Sequence, residues 1–149
     1  MNIRIKTAMS VVTLASAMVS LAPATSASAS VSASCGSGYS YIDSYPLKDP
    51  WGEKSSTVKL YLYYNGSTGK NCAYTSTTEW TDTEKYMFVT LSSSSDGPYG
   101  DYGYYRYYAG PVYAYARNQC VSLSGGLDAP GSGAGAEKYR VSVHNVHCG

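Results

Sequence analysis

Thr57–Tyr64 reads TVKLYLYY, followed by NGSTGK over 65–70 and CAYTSTTEW over 72–80. In an extended chain Val58, Leu60, Leu62 and Tyr64 fall on one side, and Lys59, Tyr61 and Tyr63 on the other. Asn65-Gly66 takes positive φ readily and ends the run in a turn. The return is β-branched and Tyr-containing, so 57–80 reads as a β-hairpin.

The same reading extends outward. Residues 39–45 (YSYIDSY) alternate as a strand stopped by Pro46, and 46–56 form a loop. Residues 85–91 (KYMFVTL) are a strand apolar on both sides, hence central. Residues 92–103 are polar and Gly-rich, a long loop. Residues 104–116 (YYRYYAGPVYAYA) read as one strand bent at Ala109-Gly110-Pro111, because proline donates nothing to a ladder. Residues 119–124 form a short strand, 125–136 a second flexible loop, and 138–146 a last strand with Tyr139, Val141 and Val143 on one face. Roughly seven short strands with Gly/Pro punctuation and no helix of ordinary length predict an all-β fold, a small disulfide-stapled antiparallel β-sandwich or barrel.

Residues 1–29 read as a secretory signal peptide. Arg4 and Lys6 precede an apolar run over 8–22, and Ala27-Ser28-Ala29 is a small-x-small cleavage site. The run falls short of the roughly 20 residues that cross a bilayer. A flexible leader over 30–38 and a single β domain over 39–149 follow, so a secreted, extracellular protein without a membrane span in its mature form is expected. Arg4 and Lys6 are two of the 11 basic side chains; without them nine remain against 10 acidic ones, a formal charge near −1. A near-neutral chain has no long-range field to draw nucleic acid or anionic lipid.

Cys35, Cys72, Cys120 and Cys148 are the four cysteines. None lies within four residues of another, which disfavours a zinc site, and an even number in an exported chain predicts two disulfides. A meander of 39–45, 57–64 and 72–80 brings Cys35 and Cys72 to one end. Cys120 opens a strand whose antiparallel return precedes Cys148. The favoured pairs are therefore Cys35–Cys72 and Cys120–Cys148, out of three possible connectivities.

The cysteine-anchored blocks resemble the spore-associated protein A family, small secreted proteins of filamentous actinobacteria. The resemblance runs through Cys35-Gly36-Ser37-Gly38-Tyr39, Ile42-Asp43-Ser44, Tyr64–Cys72 (YNGSTGKNC), Tyr107–Tyr113 (YYAGPVY), Cys120-Val121 and His147-Cys148-Gly149. The family often carries Trp-Gly-Gly shortly after its third cysteine; here 121–126 read VSLSGG, without the tryptophan. The resemblance implies secretion and association with spores or the cell surface, and carries over no catalytic residues.

Tyrosine is the compositional anomaly, with 17 against one Phe and two Trp. Its ring packs on sugars and protein surfaces while its hydroxyl stays hydrated. Tyr61 and Tyr63 share the Lys59 face of their strand, Tyr113 and Tyr115 lie opposite Val112, Ala114 and Ala116, and Tyr104 and Tyr108 share a side with Arg106. Adjacent in a sheet, these seven residues, Tyr61, Tyr63, Tyr104, Arg106, Tyr108, Tyr113 and Tyr115, form an aromatic platform for a polysaccharide or protein component of the cell wall or spore surface. The plainer reading gives the same tyrosines a packing role in a thin sandwich. A carbohydrate-binding module for a wall polymer, or a small secreted hydrolase or enzyme inhibitor, are the alternatives. His144 and His147 face opposite sides of a strand and lack nearby carboxylates, so no metal is assigned. Asp43 with Asp49, or Glu79 with Asp82 and Glu84, could pair for glycoside cleavage, but that chemistry needs two carboxyl groups about 5–10 Å apart in a cleft, which sequence does not supply, and 79–85 reads more simply as a solvated strand end and turn. The sequence assigns no catalytic residue and no cofactor.

Overall fold

The computed structural model describes residues 34–149. The signal segment 1–29 and residues 30–33 of the leader lie outside the described residues. The chain forms eight strands: β1 (Ser40–Lys48), β2 (Lys54–Asn65), β3 (Lys70–Thr77), β4 (Lys85–Ser93), β5 (Tyr99–Tyr105), β6 (Tyr108–Tyr115), β7 (Val121–Asp128) and β8 (Glu137–Val146). They make one antiparallel sheet in the order β5-β4-β7-β8-β1-β2-β3-β6. β8 meets β1 at a single pair, Lys48 opposite Arg140. The sheet therefore divides into two four-stranded halves packed face to face, nearly closed into a barrel.

Alternation dictates the interior. Val58, Leu60 and Leu62 of β2 and Met87, Val89 and Leu91 of β4 are fully buried between the halves. Each such side chain contributes about 1.5–3 kcal/mol of transfer free energy. β4 lies between β5 and β7, the central place its sequence predicts. The hairpin of β2 and β3 pairs in continuous register from Val58–Thr77 to Asn65–Lys70. Asn65 Oδ1 accepts the amides of Ser67 and Thr68, closing its turn.

Several segments depart from the sequence reading. β1 runs through Pro46 to Lys48. Its one continuous partner is β2, and on so sparsely paired an edge a residue without an N–H is tolerated, with a register shift directly after it. β3 ends at Thr77, whose Oγ1 accepts the Glu79 amide at 2.9 Å and turns the chain. The polar stretch 92–103 contains most of β5, and 125–128 complete β7. Residues 104–116 are not one bent strand: the chain reverses at Arg106-Tyr107 between β5 and β6. Lys85, fully buried, fixes that reversal, its Nζ donating to the carbonyls of Arg106, Trp80 and Thr83. Burial pushes the Lys85 ammonium below its ordinary pKa.

Glycines explain the hidden strands. A Cβ on Gly125 would stand 2.3 Å from Thr75 Oγ1, so glycine there lets β3 and β7 approach across the core, where Thr75 donates to the Phe88 carbonyl at 2.8 Å. On β5 the Tyr105 ring lies over Gly103, two residues back on the same strand.

The gap between β6 and β5 is bridged by side chains instead of a ladder. Asp101 Oδ2 accepts the Gly110 amide at 2.6 Å while its Oδ1 accepts the Tyr105 hydroxyl at 2.6 Å. Asp96 Oδ2 accepts the Tyr115 amide at 2.6 Å, and Ser93 Oγ donates to the Tyr115 carbonyl at 2.8 Å. The Tyr99 hydroxyl and the Tyr115 amide hold the Asp96 carboxyl below its usual pKa. Asp101→Asn faces one of these two donors with an N–H₂ and is expected to cost about 1–3 kcal/mol in urea unfolding; an unchanged midpoint would refute the bridging role. Asp96 is lower in pKa folded than unfolded, so its stabilisation is complete above the ordinary Asp value of about 3.9 and is lost as pH falls through the lower folded value. A melting-temperature profile below that pH is expected to fall less steeply in Asp96→Asn than in the parent.

Candidate functional site

Two outward faces carry aromatic side chains, one on each half of the sheet. On the half made of β1, β2, β3 and β6, residues pointing away from the core are brought together by register: Tyr41 opposite Tyr63, Tyr61 opposite Tyr74, and Cys72 between Tyr63 and Tyr113. Tyr74 stacks on Tyr61 at 5.0 Å and on Tyr63 at 5.8 Å, and Tyr41 meets Tyr63 edge-on at 5.7 Å. The hydroxyls of Tyr63 and Tyr74 share a hydrogen bond at 3.3 Å.

The Cys35–Cys72 bridge lies on this face and closes a 37-residue separation. It fastens the segment before β1 to the outside of β3. Tyr113 donates its hydroxyl to the Cys35 carbonyl at 3.2 Å, and Tyr39 packs on the Tyr113 ring at 5.6 Å. Cys120–Cys148 ties the start of β7 to the chain end over a separation of 28. Loops of these lengths correspond to about 3–4 kcal/mol per bridge in the chain-entropy account.

The seven side chains singled out from the sequence are thus divided. Tyr61, Tyr63 and Tyr108 pack around the Cys35–Cys72 bridge with Tyr74, and Tyr113 reaches it by its pairing with Cys72 and its hydroxyl bond to Cys35. Tyr115 lies at the end of β6 over the β2–β3 turn, its ring against Gly69. Tyr104 is on the other half, edge-on to Tyr86 at 5.7 Å. Arg106 sits in the β5–β6 turn, 3.9 Å from Glu84. Tyr104 and Arg106 share a side, facing Tyr86 and Glu84 across the hairpin, whereas Tyr108 lies past the reversal on the other half.

Sequence reasoning missed Tyr41 and Tyr74 on the first face and most of the second. The second lies over β5, β4, β7 and β8, where Tyr102, Phe88 and Arg140 cross the sheet in a row. The signal was present in 85–91: Met87, Val89 and Leu91 alternate with Tyr86, Phe88 and Thr90, one set inward and the other outward.

Asp43, Asp49, Glu79 and His147 are engaged locally. Asp49 Oδ1 accepts the amides of Trp51 and Glu53 in the β1–β2 turn. Glu79 accepts the Thr57 hydroxyl. Asp43 Oδ1 accepts the Ser44 amide. His147 packs edge-on against Tyr64 at 5.2 Å, and His144 is exposed on β8. Among the described residues no group of three or more His, Cys, Asp or Glu is placed to hold a metal ion.

The chain is 41% identical over 92 residues, 61% of its length, to spore-associated protein A of Streptomyces coelicolor. That match supports the resemblance carried by the cysteine-anchored blocks. It covers 54% of the relative, so the chain spans about half the length of the curated protein it matches. No protein-family model and no solved structure matches the chain.

Burial pushes the Tyr61 and Tyr74 phenols above their ordinary value, and the hydrogen bond to Asp101, followed by burial, raises Tyr105 to about 12. These groups are neutral in the fold, so their stabilisation is complete below the ordinary value of about 10 and is lost as pH rises through the folded values. Phenolate absorbance followed with circular dichroism is expected to show a late group of tyrosines ionising together with unfolding. Titration of every tyrosine near the ordinary value with the fold intact would contradict the packing described.

Proposed function

We propose that the protein is a secreted, non-catalytic component of the spore or hyphal surface, and that it adheres through the Tyr-bearing outer face of β1, β2, β3 and β6. The observation that carries this reading is the ladder Tyr41–Tyr63–Tyr74–Tyr61, four phenols held in fixed mutual orientation on the outside of a stapled sheet. Such a face offers aromatic area at low conformational-entropy cost, with Tyr74 buried as the support on which Tyr61 and Tyr63 stack. Tyr41 is 55% exposed and gives the ladder its accessible end.

Three further observations support the reading. The similar Streptomyces coelicolor protein is named for its association with spores. All four cysteines are bridged, which suits an oxidising compartment outside the cytoplasm. Of the carboxylates weighed for hydrolysis, Asp49 closes the β1–β2 turn, Glu79 accepts the Thr57 hydroxyl and Glu84 lies 3.9 Å from Arg106. The partner is a polysaccharide or protein component of the wall or spore coat.

The test is co-sedimentation of the purified, oxidised protein with spores and hyphal walls at low and high salt. Retention that survives high salt is expected, since packing on aromatic rings is screened little compared with exposed charge pairs. Tyr41→Ser is expected to weaken retention by about tenfold while leaving the melting temperature close to that of the parent. Retention abolished by salt, or untouched by Tyr41→Ser, would overturn the assignment.

A further inference from the structure

The second aromatic face forms the floor of an open cleft of about 620 Å3. Sites for small organic ligands commonly span about 300–1,000 Å3. Tyr102 and Phe88 lie with their ring centres 5.8 Å apart and their planes within 15° of parallel. Both rings lean over glycines. A Cβ on Gly100 would stand 2.3 Å from Tyr102 Cε2, and one on Gly126 would stand 2.2 Å from Phe88 Cε1. Gly100 and Gly126 belong to the strands on either side of β4. With no side chain at either position to prop the rings upright, they lie down along the sheet and present a broad shelf. Tyr102 is 57% exposed, as befits the accessible part of that shelf.

The charge at the cleft is already balanced. Arg140 lies beside the shelf, its guanidinium carbon 5.2 Å from the Phe88 ring centre. Its Nη2 donates to Asp128, whose side chain is fully buried, and its Nη1 donates to the carbonyls of Leu127 and Tyr139. Its Nε is 3.9 Å from Glu137. One cation is thus shared by two carboxylates, and among the described residues that line the shelf no second cation offsets Glu137 for an anionic ligand. The polar groups left to a ligand are the Glu137 carboxylate and the hydroxyls of Tyr102 and Ser142, suited to an uncharged donor-rich partner.

The cleft also continues. A smaller hollow lined by Lys48, Asp49, Pro50 and Lys138 shares Glu137 and Arg140 with it. The path leads toward the β1–β2 turn, where Trp51 stands 82% exposed. A ligand that follows it is extended.

We propose that this cleft binds a segment of an uncharged polysaccharide, with the C–H face of one sugar ring on the Tyr102–Phe88 shelf and hydroxyls of the next on Glu137. Aromatic rings attract the polarised C–H groups of a pyranose, and a carboxylate accepts strongly from its hydroxyls. The cleft lies on the half of the sheet away from the Tyr41–Tyr63–Tyr74–Tyr61 ladder, so the inference goes beyond the adhesion reading and stands apart from it.

The experiment is calorimetric titration of the oxidised protein with neutral oligomers of N-acetylglucosamine, β-1,4-glucose and β-1,3-glucose, and with an oligogalacturonate as the acidic control. At least one neutral oligomer is expected to bind, more tightly than its own monosaccharide and than the acidic control. Tyr102→Ala is expected to weaken that binding by about tenfold or more, and Tyr41→Ser to leave it unchanged. Amide shift mapping on the unmodified protein provides a second measurement independent of any variant, with perturbations expected at Phe88, Tyr102 and Glu137. Absence of binding by all neutral oligomers, preference for the acidic one, or perturbations confined to the other face would overturn the proposal. Spore retention lost in Tyr41→Ser with oligomer binding intact, or the converse, separates the two sites.

Discussion

The structure depends on how its last strand edge is satisfied. An antiparallel sheet that does not close leaves a row of unpaired amides and carbonyls, open to any other strand. Here β6 is paired with β3 on one side and faces β5 on the other. Asp101 and Asp96 take the amides of Gly110 and Tyr115, and Ser93 donates to the Tyr115 carbonyl. Carboxylate-to-amide bonds are charge-assisted and short, so a few of them hold an edge that a full ladder would otherwise hold. Lys85 acts at the neighbouring turn, gathering carbonyls from the β3–β4 connection and the β5–β6 turn onto one ammonium. With the edge fixed, the two halves are opposed, and each has an inner face for the core and an outer face for tyrosine.

The abundance of tyrosine follows from that geometry. A sheet half only one layer thick has no second layer to cover its outside, so its outward residues must be large enough to pack laterally and polar enough to meet water. Tyr61, Tyr63 and Tyr74 pack on one another, and Tyr108 and Tyr113 around the Cys35–Cys72 bridge. The bridge and the phenols are mutually dependent: the disulfide brings Cys35 onto the face, and Tyr113 receives its carbonyl there.

Alternation made the β2–β3 hairpin, β4 and β8 legible, because Val58, Leu60, Leu62 and Val141, Val143 mark one face without ambiguity. The hairpin order also brings together the cysteines that bridge, Cys35 with Cys72 and Cys120 with Cys148. The stretches 92–103 and 125–136 were read as flexible from their glycines, yet β5 and the end of β7 lie in them. Glycine content reports conformational freedom in the unfolded chain. It does not report that Thr75 or Phe88 comes to rest over the missing side chain of Gly125 or Gly126, which is a property of strands distant in sequence. The candidate site was legible to the same degree. Tyr61 and Tyr63 came from one strand and stayed together, whereas Tyr104, Arg106 and Tyr108 were grouped by a continuous strand that the chain breaks at a turn.

The glycines of β5 and β7 sort by the face they serve. Inside, Gly103 and Gly125 receive Tyr105 and Thr75, and the approach of the two halves follows. Outside, Gly100 and Gly126 receive Tyr102 and Phe88 over solvent. A glycine within a strand costs roughly 0.5–1 kcal/mol relative to alanine. The inner pair offsets that cost by core packing that nothing larger would permit. The outer pair has no core to close, and Tyr102 remains largely exposed after covering Gly100. A Cβ on Gly126 would also stand 2.7 Å from Arg140 Cδ, so glycine there seats the side chain that pairs with buried Asp128, whereas at Gly100 only the Tyr102 ring is met and stability alone would favour a β-branched residue. The bare strand under Tyr102 is thus the part of the shelf that neither core packing nor the Arg140–Asp128 pair requires.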